Sequence, residues 1–200
     1  MEQLRHAELL HPKVSLWALD EHRLGLKPIL RPIWAPTGQP LTATVHPRYE
    51  WLYIYAFVNP ESGESRFYLV PVLNKDAYQA VMAAFAQSVG AGPEHHVLVV
   101  EDGGGFHVPA LQGHPVGIQT VTLPPYSPEL QPVERLWKLT DATLANQCFE
   151  SLDDLQTSSA RGLETSKEEG EIVSSNLAAH MSADRAERVE LWKHQMKRTV

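Results

Sequence analysis

The sequence predicts an α/β fold, a mixed β-sheet flanked by helices. Three observations carry this expectation. Short apolar runs rich in β-branched and aromatic residues recur through the first two thirds of the chain. Stretches of helical periodicity are interleaved with them. Two of the strand-like runs, VSLWALD (14–20) and HHVLVVED (95–102), end in a carboxylate.

Taken in order, 14–20 reads as a buried strand stopped by the polar EHR. LKPILRPIW (26–34) has two prolines, which suit an edge strand or an extended segment, and APTGQP (35–40) is a turn. WLYIYAFV (51–58) and RFYLVPVL (66–73), joined by NPESGES, form an antiparallel hairpin. KDAYQAVMAAFAQSV (75–89) switches to helical spacing, with Tyr78, Val81, Met82 and Phe85 on one stripe, and GAGP ends it. The run 95–102 has a continuous apolar centre at 97–100, as in a strand covered on both faces, with its two histidines at the strand start. GGG (103–105) is a turn and IQTVTL (118–123) a short strand. PPYSPELQP is rigid and irregular. A helix follows from about Val133 to about Asn146, with Val133, Leu136 and Trp137 on its apolar stripe. Ser151 and Asp154 form a capping box that opens a last helix. This order is that of a ribonuclease-H-like mixed β-sheet with helices packed on it.

Composition narrows the function. Hydrophobic residues are 43% of 200, enough for a sizeable core in one domain with an appendage. No apolar run reaches the roughly 18 residues of a membrane span, and the first residues lack an apolar signal core, so a cytoplasmic protein is expected. Cys148 is the single cysteine; it excludes an internal disulfide and a cysteine-rich zinc site, and is expected to be a buried spectator. The net charge of -7 speaks against a generic nucleic-acid binder but not against a nuclease whose carboxylates await cations. No GxGxxG or GK[ST] loop appears, which disfavours a nucleotide-using enzyme.

Asp20 and Asp102 close two strands that adjacent central positions would bring together, and Glu134 lies in the first turn of a helix after the last strand. Sites in open α/β sheets form outside such strand ends. Hard divalent cations take oxygen ligands, usually one or two carboxylates each, and paired ions serve phosphodiester chemistry. Asp20, Asp102 and Glu134 are therefore the candidate metal ligands and catalytic residues. Alternation along a strand turns Glu21 and Glu101 away from Asp20 and Asp102.

The segment LPPYSPELQPVERLWK (123–138) closely resembles the signature of the bacterial insertion-sequence transposases related to the mariner superfamily. EDGGGFH (101–107) is similar to that family's second-Asp element, and ALDEHRLGL with the WAPTG turn (34–38) to its first-Asp region. The resemblance covers roughly 14–157. It implies a DDE-type catalytic domain with Asp20, Asp102 and Glu134 as the triad, binding Mg²⁺ (Mn²⁺ substituting), two ions in all. It further implies cleavage of DNA at an element's ends and strand transfer into target DNA, by a homodimer. His107, Arg135 and Lys138 are candidate supporting residues.

The chain departs from the family in several places. Position 131 is Gln rather than the usual Asn, and Asp102 to Glu134 is 32 positions, slightly short. No helix-turn-helix precedes Asp20, so a helix-turn-helix partner chain is expected, the chain being either the second product of a split gene or a truncated copy. Residues 1–157 are read as the catalytic domain and 158–200 as a divergent, charged C-terminal extension, with an amphipathic helix at 186–198. Two other functions compete with active transposition: an inactive remnant, and a non-catalytic interaction subunit of a split transposase. Trp137, on the apolar stripe, is expected in the core. Tyr126 and Pro128 are expected to shape the loop that aims Glu134.

Overall fold

The computed structural model describes residues 7, 13–34, 36–38, 48–107, 113–124 and 131–168, with backbone alone at 135 and 162–168. Its elements are β1 (Val14–Gly25), β2 (Trp51–Val58), β3 (Ser65–Val70), α1 (Lys75–Val89), β4 (His96–Glu101), β5 (Ile118–Thr122), α2 (Glu134–Leu144) and α3 (Leu152–Glu168). The strands form one mixed sheet in the order β3-β2-β1-β4-β5. β1–β2 and β2–β3 are antiparallel; β1–β4 and β4–β5 are parallel. This is the expected ribonuclease-H-like arrangement.

Period-two alternation in β1 splits the core. Trp17 and Leu19 point to one face, where α1 lays Tyr78, Val81, Met82 and Phe85 against them. Ala18 and Leu24 point to the other, packed beneath Val133 at the start of α2, Leu136 and Trp137 within it, and Leu155 of α3. The α1 stripe is the one its periodicity predicts. Asn74 caps that helix by accepting from the Ala77 N–H at 2.8 Å, and Gly90 ends it in the left-handed region at φ 67°, where glycine is favoured.

β1 is longer than its sequence suggests. The EHR that was expected to stop it stays in the strand, because β2 remains paired as far as Gly25↔Trp51. Each polar side chain of the overhang has a partner. Glu21 meets His107, His22 meets Asp141, and the Arg23 guanidinium sits 4.3 Å from the Trp51 ring centre. Residues 26–34 form no strand, bending at 26–27, and leave Leu30, Ile33 and Trp34 exposed.

Cys148 is exposed, contrary to expectation. It lies in the link between α2 and α3, where the neighbouring Phe149 takes the buried place. Ser151 opens α3 as expected: its Oγ accepts from the Asp154 N–H at 3.1 Å and donates to the Asp154 carboxylate at 2.8 Å. That helix runs on to Glu168, beyond the point where the apolar pattern fades, with Leu155 and Ser159 buried on its inner side. The expected helix at 186–198, and Tyr126 and Pro128, lie outside the described residues. Among the described residues no helix is long and apolar enough to cross a membrane.

Phe57 and Phe85 are fully buried and stack with ring centres 3.8 Å apart, joining α1 to the sheet. Phe85→Ala is expected to cost about 3–5 kcal/mol in denaturant-induced unfolding, through lost burial and the cavity left behind.

Candidate active site

The register of the central parallel pair positions the first two acids. Its last pair is Ala18↔Val100, so Asp20 and Asp102 each lie two residues beyond it, near enough for the Asp102 charge to act on Asp20. Asp20 lies on the α2 face of the sheet, where its Oδ2 accepts the indole N–H of Trp137 at 2.6 Å. Glu134 lies three residues before Trp137, hence on the same side of α2, and is exposed. The start of α2 is anchored by Gln131, whose amide N–H donates to the Leu19 carbonyl at 2.8 Å. The long amide that departs from the family pattern thus ties the helix start to the residue preceding Asp20.

Asp102 sits just past β4 in a tight turn. Its Oδ1 accepts the Gly104 N–H at 2.9 Å. A Cβ at Gly104 would lie 3.2 Å from that oxygen and 3.1 Å from the His107 ring, so a side chain there would require both neighbours to shift by a few tenths of an ångström.

On the opposite, α1 face lies a second polar group. His107 Nε2 is 3.1 Å from Glu21 Oε1, and its Nδ1 is 2.9 Å from the Asp102 carbonyl. The Tyr78 hydroxyl donates to Glu101 Oε2 at 2.7 Å. Glu21 does face away from Asp20, as alternation requires, but it is not idle there. Ligand atoms of Glu21, Asp102 and His107 lie within 4.8 Å of one another, close enough to hold a metal ion. Both His107 nitrogens are engaged and its side chain is 7% exposed, so this cluster reads as a brace under the Asp102 turn rather than as the ion's seat. Sequence reasoning named His107 as a supporting residue but missed Glu21 as its partner, since alternation alone turned Glu21 away from the site.

Charge is crowded here. Burial pushes the Asp20 carboxyl up to about 6, against the Trp137 hydrogen bond, and the charges of Glu21 and Asp102 push the same way as burial. Burial likewise raises Glu21 and Glu101. Burial opposes a charge on His107, but its bond to Glu21 and the charges of Glu101 and Glu21 outweigh that and lift it to about 9. Lys138 is exposed on α2, and the Arg135 side chain lies outside the described residues.

Residues 15–156 match the family model of the DDE superfamily endonucleases. The chain belongs to that family. This DDE superfamily member is 35% identical over 108 residues, 54% of its own length and 78% of the relative's, to the uncharacterized protein y4pE/y4sA of Sinorhizobium fredii (strain NBRC 101917 / NGR234). Its fold is similar to the Mos1 chain of a pre-cleavage Mos1 transpososome, with TM-score 0.54 and 16% identity over 88% of this chain and 58% of that one. It is similar also to the Mos1 mariner paired end complex with Mn, at TM-score 0.52 and 19% identity over 85% and 57%. The DDE superfamily member therefore spans less than two thirds of the Mos1 chains it matches.

A donor set of Asp20, Asp102 and Glu134 would offer oxygen ligands only, which suits Mg²⁺ or Mn²⁺, and the charges of Glu21 and Asp102 act on Asp20. The titrations make a stability prediction. Asp20, Glu21 and Glu101 are raised, so their ionised forms disfavour the fold above their folded pKa. His107 is also raised, so its contribution is complete below its unfolded value of about 6.5 and is lost as pH rises through about 9. All four act in one direction. The Tm of the metal-free protein is expected to fall between pH 5 and pH 9, and Asp20→Asn to raise it at pH 7.5 while flattening the part near pH 6.

Proposed function

We propose that this chain is a transposase catalytic domain performing metal-dependent DNA strand cleavage and strand transfer, with Asp20, Asp102 and Glu134 holding two Mg²⁺ or Mn²⁺ ions. One observation carries the reading. Asp20 and Asp102 each lie two residues past the last pair of the central parallel strands, and the helix bearing Glu134 is docked on Asp20 through Trp137. Membership of the DDE superfamily endonucleases and a fold similar to Mos1 in its transpososome support it.

When bound, the ions supply activation of the attacking oxygen and stabilisation of the departing one. The chain's own residues do the rest. Asp20 and Asp102, at the strand ends, and Glu134, at the helix start, would hold the ions. His107 and Glu21 hold the Asp102 turn in place from below. Lys138, with Arg135, offsets phosphate charge as DNA enters. In cleavage, a water oxygen bonds to phosphorus as the bond from phosphorus to the 3′ oxygen breaks, leaving a 3′-hydroxyl and a 5′-phosphate. In transfer, that hydroxyl attacks a target phosphodiester and displaces a second 3′ oxygen. Both are in-line displacements, which depend on positioning and charge neutralisation.

A net charge of -7 leaves little general attraction to DNA, so recognition of element ends falls to a helix-turn-helix partner chain and to pairing of two copies. Residues 1–157 form the catalytic unit in this reading, and 158–200 an extension to it.

The test is nicking of a labelled duplex carrying the terminal sequence of the element that encodes the chain. It is run with and without Mg²⁺ or Mn²⁺ and with the partner supplied. Nicking is expected only with metal, and Asp102→Ala and Glu134→Ala should reduce it to the metal-free level. Metal-independent partner binding without nicking would instead identify an interaction subunit or an inactive remnant.

A further inference from the structure

Trp137 lies on the apolar stripe of α2 and is 8% exposed, which alone would make it a core residue. Its polar atom does something a core residue need not do. The indole has one donor and no acceptor, and that donor is committed to Asp20 Oδ2 at 2.6 Å, across 117 positions of sequence. A bond from a nearly buried N–H to a carboxylate is of the stronger, charge-assisted kind.

The ring that carries this donor is itself fixed. His22 stacks on it with ring centres 4.7 Å apart and planes 13° from parallel. His22 Nε2 is in turn 2.8 Å from Asp141 Oδ1. Asp20 and His22 are two residues apart on β1, on one face; Trp137 and Asp141 are four apart on α2, also on one face. The result is a clasp of two strand residues and two helix residues, with the indole edge on the carboxylate and the indole face under the imidazole. Glu134 is one turn upstream on the same helix.

Resting on the proposed three-acid centre, we infer that Trp137 is a positioning residue. Its N–H fixes the rotation of the Asp20 carboxylate, commits Oδ2 to the helix, turns Oδ1 to the metal, and locks this orientation to the helix that carries Glu134. The first and third ligands are thereby set as a unit. A docking failure of α2 loosens both at once.

Packing and donation separate by experiment, because an isostere keeps the ring and removes the N–H. Trp137 is replaced by β-(3-benzothienyl)alanine in the full chain, and Mn²⁺ binding is measured by calorimetry beside wild type, Asp20→Asn and Asp102→Asn. Loss of a group that orients a ligand typically weakens metal binding about 10–100-fold, and that loss is expected here while cooperative unfolding of the metal-free protein is retained. Affinity within twofold of wild type would overturn the inference. If wild type binds Mn²⁺ no better than Asp102→Asn, the three-acid reading falls and the inference with it. If that contrast holds and the isostere binds like wild type, the inference alone falls.

A second measurement needs no change at Trp137. The indole N–H signals of the five tryptophans are followed by NMR as Mg²⁺ is added. One signal is expected to shift in wild type and to stay still in Asp20→Asn. No shifting signal in a wild-type protein that binds Mg²⁺ counts against the proposal.

Discussion

The unequal pairing of β1 governs the rest of the structure. On one side β2 follows it to Gly25; on the other β4 leaves it after Ala18↔Val100. The strand therefore projects past its parallel neighbour as a rigid, half-paired ledge. Asp20, Glu21, His22 and Arg23 stand on that ledge, alternating between two faces. A loop could display the same four residues but could not hold them in register with β2 and against a docked helix.

The two faces have different electrostatic tasks. On the α2 side, Asp20 is crowded by charges of its own sign and is engaged by a neutral donor, which leaves it suited to a cation. On the α1 side, Glu21 and Glu101 are served by His107 and Tyr78, an arrangement already satisfied within the protein. The same strand end thus separates an acid held by one neutral donor from acids held by a buried His and Tyr. Carboxylates on both faces left equally unpaired would repel across a single strand thickness.

The fold was largely legible because its elements are encoded locally. The α1 boundaries follow from periodicity and its glycine stop, and the strands from short apolar runs. The placement of Asp20 and Asp102 at one sheet end also follows from the strand order. What escaped the sequence was contact between distant residues. β1 continues through EHR because partners far along the chain (Asp141, His107 and Trp51) satisfy its polar groups. Trp137 reads as apolar by its spacing, and nothing local discloses that its N–H meets Asp20. Cys148 was misplaced because the residue-type tendency to burial ignores that its neighbour Phe149 fills the available site. The length of α3 was hidden by its polar composition; among its described residues the inner side is carried by Leu155 and Ser159, with Leu152 packed against the same core.

Gln131 gives the fold a consequence of its own. Its amide reaches the Leu19 carbonyl one residue past the last β1–β4 pair, where a buried backbone acceptor needs a donor that strand pairing with β4 no longer supplies. A side chain here stands in for a missing rung of the sheet. Its length is then a dimension of the scaffold, like the spacing of two beams. Exchange of Gln for Asn at this position, mild by chemistry, changes a measured span, and the helix start and the strand must come closer together by about one carbon–carbon bond.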